Sequence, residues 1–409
     1  MEGDVIYKLP AELWISIFQL TAPVFYEQDR SAKAHIRIHF RNYPLHRVRD
    51  SIPCVYKEKY AICKNIALTC STFARLITPV LFSHAFLRGD FVVAVFLETI
   101  RANPAVALYV KALVLLSEIR ISHYHELLVS MLPNLKVLHM TPALTKNQIN
   151  YPPSIEVLDL CLRYNTRGTA EVIQISFLSN LRILSLQSLD DFPTSFDAAC
   201  LSFPSLSALD ITGVNNPVLL SVFPTWIMPK LFVLCMTMPA YEYLLVDLLK
   251  AVSRTIHLLQ LALNSSMKET SGHKLALPRL KELTIVARSM ATPHAMGLRV
   301  LHSLPALQLL NIAQPKRSAS RLEHTLDAAL EVVYGMVEGW NPLPKALESI
   351  RVWESRQHDM KDLVTPLFAY QVIRNHEARF RRVGVQLMVI APSGVYMPAR
   401  GAYRAVVRI

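Results

Sequence analysis

Glycine is scarce in this chain, 11 of 409 residues, and the scarcity narrows the chemistry open to it. Sites that hold a phosphate or a reactive serine need close backbone approaches, and neither G-x-x-x-x-G-K nor G-x-S-x-G occurs. Long apolar runs are missing too. The run from Phe91 to Leu97 stops at Glu98, well short of the roughly 18 to 20 residues that span a bilayer. The opening Met1-Glu2-Gly3-Asp4 carries acid where a secretory signal needs positive charge, so export is not expected. Cysteine is sparse: Cys54, Cys63, Cys70, Cys161, Cys200 and Cys235 match neither metal knuckles nor a compact disulfide scaffold. Reduced, buried thiols in a cytoplasmic or nuclear protein are the expectation.

What the chain does have is a phrase, L-x-x-L-x-L, returning about every 25 residues. It reads Val110/Leu113/Leu115, Leu135/Leu138/Met140, Ile155/Leu158/Leu160, Leu181/Leu184/Leu186 and Leu206/Leu209/Ile211 in the first half. It continues as Leu231/Leu234/Met236, Ile256/Leu259/Leu261, Leu280/Leu283/Ile285, Leu307/Leu310/Ile312 and, after a longer interval, Leu347/Ile350/Val352. Units of this kind bury their apolar faces only against neighbours, which implies an α/β solenoid with parallel strands on a concave face and helices on a convex one. Helical spacing marks 241–254 and 322–337, and the interval that holds the second ends at Gly339-Trp340-Asn341-Pro342. Val383 to Ile390 reads as a last strand, preceded by an arginine-rich helix.

Alternation along each strand places the residues between the leucines outward, where they are expected to be free for binding. These are Lys136, Val137, His139, Glu156, Asp159, Arg182, Ser185, Asp210, Lys281, Glu282, Thr284 and Asn311. The asparagine or cysteine that many such repeats place three residues after the strand is mostly replaced, by Ala143, Arg163, Leu189, Val214, Pro239 and Arg288. Asn264 is the exception. Backbone groups at the turns must therefore be satisfied by other means.

Ahead of the array the pattern changes. Pro10 and Glu12 suit the first turn of a helix in which Leu13, Ile17 and Leu20 share a face, and Pro23 ends it. A second helix is expected from Asn65 to Ile77, with Ile66, Cys70, Phe73 and Ile77 aligned and Pro79 as the stop. Three regions follow: a helical head over 1–84 with a basic insertion over about 22–62, the repeats over 85–365, and a C-terminal cap over 366–409.

Leu9-Pro10-x-Glu12-Leu13-Trp14-x-x-Ile17-Phe18, followed by the run from Ala67 to Phe82, resembles the F-box, in the form common in mushroom-forming fungi. The resemblance implies a substrate-recognition subunit of a cullin-RING ubiquitin ligase. Leu9, Pro10, Leu13, Ile17 and Phe18, with Leu68, Phe73, Leu76, Pro79 and Leu81, would then dock a Skp-type adaptor and through it a cullin, while the leucine-rich array holds a target. Such a chain is no enzyme and needs no cofactor. The insertion over 22–62 departs from the tight connection usual in that family.

Charge adds a second theme. The formal net charge is +12, drawn largely from the insertion and from Arg374, Arg379, Arg381, Arg382, Arg400, Arg404 and Arg408 near the other end. An excess of this kind speeds encounter with acidic partners, so an acidic target protein is expected. The insertion also interleaves His35, His39, Tyr43, His46, Tyr56 and Tyr60 with its cations, the pattern of a phosphate-gripping loop. No nucleic-acid module surrounds it, and a non-catalytic scaffold or nucleic-acid-associated solenoid is the alternative reading. His123-Tyr124-His125-Glu126 is the nearest approach to a metal cluster, but ligands two apart on a helix diverge, and no metal is expected.

Overall fold

The computed structural model describes residues 10–21, 60–116, 123–141, 151–162, 171–173, 175–188, 194–196, 200–211, 214, 217–237, 242–264, 274–289, 300–313, 319–340, 343–347, 349–353, 365–390 and 396–398. Two compact units divide the chain. One comprises Met1–Ala198 with Ser202–Ala208, the other Ala199–Leu201 with Leu209–Ile409.

The first unit begins with helices α1 (Ala11–Thr21), α2 (residues 60–67) and α3 (Ser71–Phe82). Strand β1 (His84–Arg88) follows at once, then α4 (Asp90–Ala102), α5 (Ala105–Tyr109), β2 (Ala112–Leu116), α6 (His123–Ser130), β3 (Val137–Thr141) and β4 (Val157–Leu162). Short β5 (Glu171–Ile173) and β7 (Thr194–Phe196) pair with each other, while β6 (Ile183–Ser188) joins the main sheet in the order β1-β2-β3-β4-β6. All of these pairings are parallel.

The second unit takes up β8 (Ala208–Ile211) from Leu209 on, then α7 (Pro217–Val222), a 3-10 turn at Phe223–Thr225, β9 (Val233–Thr237), α8 (Glu242–Val252) and β10 (Leu258–Asn264). Next come β11 (Leu275–Ala276), β12 (Glu282–Ser289), β13 (Leu301–Ser303), β14 (Leu309–Ala313), α9 (Ala319–Glu338), β15 (Ser349–Trp353), α10 (Thr365–Arg382), β16 (Gln386–Ile390) and β17 (Tyr396–Pro398). Its main sheet runs β8-β9-β10-β12-β14-β15-β16-β17, and the last pairing alone is antiparallel.

Every phrase of the repeat is a strand, and register explains why the spacing matters. Leu113, Leu138, Leu158 and Leu184 stand opposite one another in the first unit, as do Leu115, Met140, Leu160 and Leu186. In the second, Leu259, Leu283, Leu310 and Ile350 form the matching row. All are buried. Burying each such side chain stabilises by about 1.5 to 3 kcal/mol, and none can be buried without the strand beside it.

The turns solve their backbone problem with one carbonyl per repeat. Lys111 O accepts the N–H of Lys136 and of Val137, at 2.8 and 3.0 Å; Lys136 O accepts from Glu156 and Val157, at 2.8 and 2.9 Å. Glu156 O and Arg182 O repeat the fork toward Arg182/Ile183 and Ser207/Ala208. Phe232 O, His257 O and Lys281 O do the same in the second unit. A carbonyl has two lone pairs, so this fork takes much of the place of the missing asparagine ladder, and Asn134, Ser154 and Asn180 add side-chain bonds to the Leu108, Pro133 and Pro153 carbonyls of the preceding repeat. Ser83 O starts it, accepting from Lys111 and Ala112 at 2.8 and 3.0 Å. The segment after α3 is thus a degenerate repeat, Phe82/Ala85/Leu87.

Three expectations need correction. The helix anticipated over 65–77 is two helices, broken at 68–70, because Cys70 caps α3: its Sγ accepts the Phe73 N–H at 3.4 Å. Pro79 does not end α3, which runs on to Phe82; Ile77 and Val80 on either side of the proline are buried and hold the helix in place by packing. Cys200 is exposed rather than buried; Cys63 and Cys235 are buried, and all are free thiols. The other helical readings agree closely, α8 spanning Glu242–Val252, α9 spanning Ala319–Glu338 and filling the long interval before β15. α10 and β16 fall where the arginine-rich helix and last strand are read.

Candidate functional site

Two surfaces hold the residues singled out above, and the first is the head. Trp14, Phe18 and Phe73 bring their rings together, Trp14 to Phe73 at 4.9 Å and Phe18 to Phe73 at 5.4 Å edge-on. Cys63, Ile77 and Val80 complete this small core, with Leu76 and Leu81 half-buried against it. Phe18 and Phe73 are therefore internal, and Pro79 is half-buried within α3. Facing outward are Pro10, whose carbonyl accepts the Leu13 N–H at 3.1 Å, then Leu13, Ile17 and Leu68. Their exposures of 49, 39 and 74% are high for aliphatic side chains. Leu13 and Ile17 are four apart on α1 and so lie side by side on its outer face. Leu9 and the insertion at 22–59 lie outside the described residues. Phe91, Val92 and Val95 on α4 form a further exposed apolar group.

The second surface is the row between the last two leucines of each phrase. In the first unit it runs Val114, His139, Asp159, Ser185 across adjacent strands. His139, Asp159 and Ser185 are buried, contrary to the expectation that these positions are free; Val137, Asp210, Glu282 and Asn311 are buried as well. In-register parallel pairing sets each beside its neighbour on the next strand at about 4.8 Å, where some of the polar groups pair, while the buried Ser185 Oγ has no hydrogen-bond partner among the described residues. His139 Nδ1 meets Asp159 Oδ2 at 2.9 Å, and Asn311 donates to Glu282 Oε1 at 3.0 Å and to Thr284 Oγ1 at 3.3 Å. The exposed charges form a separate row beside it: Lys136 Nζ lies 2.9 Å from Glu156 Oε1, and Arg182 lies 3.6 Å from Glu156 Oε2.

Histidine, aspartate and serine on successive strands invite comparison with a nucleophilic triad, but their order is wrong. Ser185 neighbours Asp159, leaving it two strands, about 9.6 Å, from the imidazole that would have to take its proton. His125 is buried, with its Nε2 3.8 Å from Asp90 Oδ1. Among the described residues no group of three or more His, Cys, Asp or Glu is arranged to hold a metal ion. No helix among them is long and apolar enough to cross a membrane.

The polar row carried a signal in the sequence, since His139, Asp159 and Asp210 recur at one position of the phrase. Its burial carried none.

These features define the class: an α/β protein of parallel strand repeats with a small helical head. No protein-family model matches the chain, and no curated protein matches it.

Proposed function

We propose that the chain is the substrate-recognition subunit of a cullin-RING (SCF-type) ubiquitin ligase, acting in cytoplasm or nucleus. Its F-box-like head docks a Skp-type adaptor and, through it, a cullin; its leucine-rich array holds the target. The chain does no chemistry itself. Tethering raises the effective concentration of target at the transfer centre, which is the whole of its contribution. The observation that carries this reading is the division of labour in the head. Its aromatic residues close a core, while Pro10, Leu13, Ile17 and Leu68 stay outside it. Exposed aliphatic side chains on a small, separately cored motif are what a partner helix would cover.

Co-expression with a Skp-type adaptor tests the proposal. The wild-type chain should copurify, and Leu13→Asp with Leu68→Asp should abolish copurification without changing the circular dichroism spectrum, since both residues are exposed. Apolar anchors at an interface centre each contribute about 2 kcal/mol or more. An adaptor that ignores the wild-type chain, or binds the double variant equally well, removes the reading.

A further inference from the structure

α10 turns Ile373, His376 and Phe380 inward, three buried residues at helical spacing, and packs on α9 and β16. Its opposite side exposes Arg374, Ala378, Arg381 and Arg382. The cations of this helix have unequal duties. Arg379 bonds Glu331 of α9 and lies 4.3 Å over the Tyr334 ring, and Arg381 bonds Glu377 one turn back. Arg374 and Arg382 have no carboxylate within ion-pair reach among the described residues.

Lys345 joins them from another element. β15 and β16 run parallel with Ser349 opposite Gln386, so Lys345 and Arg382 stand equally far ahead of that pair. A Cβ at Gly384 would meet Leu343 Cδ1 at 3.7 Å, which sets the turn holding Lys345 at the same end of α10. Lys345 is exposed. Cations in a last helical turn offset the helix dipole, and that accounts for Arg381 and Arg382. It accounts for neither Arg374, two turns earlier, nor Lys345, which is off the helix.

We infer that this face, Arg374, Arg382 and Lys345, docks an acidic segment of a partner protein. Arg374 and Arg382 are about 12 Å apart along the helix, a distance an extended peptide covers in about four residues. Carboxylates spaced that far apart meet both arginines at once. A nucleic acid fits less well: binding through phosphates gathers its strength from many neutralised contacts, and among the described residues this face offers three cations without an ion pair beside Arg381, which Glu377 already pairs. The inference rests on the receptor reading for the partner's role as target, but not for its chemistry.

The test uses the purified full chain and two fluorescein-labelled probes, a 12-residue peptide with glutamate at every fourth position and a single-stranded oligonucleotide of 12 thymidines. At low salt the peptide should raise anisotropy saturably, and raising salt from roughly 50 to 200 mM should weaken it. The variant Arg374→Gln/Arg382→Gln/Lys345→Gln should bind the peptide at least five-fold more weakly, and Arg374→Gln alone about two-fold, with unchanged thermal melts. Absent peptide binding, equal binding by the triple variant, or tighter binding of the oligonucleotide overturns the inference. Adaptor copurification, measured alongside, should survive the triple substitution. Its absence in the wild-type chain would strike the receptor reading and leave the peptide result standing.

Discussion

Cys235 lies at the centre of β9 in the buried row, and burial, with the Asp210 carboxylate adding to it, pushes its thiol well above its ordinary range. Burial alone does the same to the Tyr151 phenol. Both groups hold their protons in the folded chain at a pH where the unfolded chain has lost them. Their contribution to stability is therefore complete below the unfolded values and declines as pH rises past them, from about pH 9 for the thiol. Melting temperature should fall between about pH 8 and pH 10.5, and Cys235→Ala should flatten the thiol's part of that fall. Alkylation with iodoacetamide at neutral pH, followed by peptide mapping, should modify Cys200 and spare Cys235. At the His139–Asp159 pair, Asp159→Ala removes the carboxylate that His139 Nδ1 meets at 2.9 Å in a buried site and should cost about 1 to 3 kcal/mol in urea unfolding. Adding His139→Ala should cost less than the sum of the two single changes, because both substitutions remove the same contact.

At the scale of elements, the head is the sharpest case. Phe73→Ala removes a ring shared by Trp14 and Phe18 and should destabilise by about 3 to 5 kcal/mol, whereas Leu68→Ala should stay within about 0.5 kcal/mol. Denaturant titration separates the two outcomes. On α9, Glu331 bonds Arg379, and the hydrogen bond between them holds the guanidinium more firmly protonated. Nearby, Asp327 meets His376 Nε2 at 2.7 Å. These carboxylates are partly exposed, so Glu331→Gln should cost no more than about 1 kcal/mol. Most strands were legible in the sequence because each phrase fixes both period and face. β1 was not: Phe82/Ala85/Leu87 places alanine where the phrase needs a large residue. The break at Cys70 is not legible in the sequence because neither glycine nor proline marks it, and a thiol is a weak acceptor for a helix cap. In the candidate site, the aliphatic face of α1 followed from helical spacing. Which residues of the head point inward did not, since Phe18 adjoins Ile17 in the chain and only packing tells them apart.

At the scale of the molecule, repetition decides how damage spreads. Leu184→Ala opens a void between β4 and β6, both within the first unit, and should cost about 2 to 5 kcal/mol. Because each strand leans on its neighbours, hydrogen exchange should quicken most in β4 and β6 and least in β1, four places along the same sheet. Uniform loss of protection across that sheet would show instead that the unit melts as one block.

The forked carbonyls carry a further consequence. The forks from Ser83 O onward use main-chain atoms, so they ask no particular side chain of the residues at those joints, where Lys136–Glu156, Glu156–Arg182 and Phe232–His257 add contacts of their own. Lys111, Lys136, Glu156, Arg182, Phe232, His257 and Lys281 hold equivalent places with little in common chemically. A chain assembled this way tolerates divergence at its seams, and proline, which lacks the N–H, is the one residue the donor positions cannot accept.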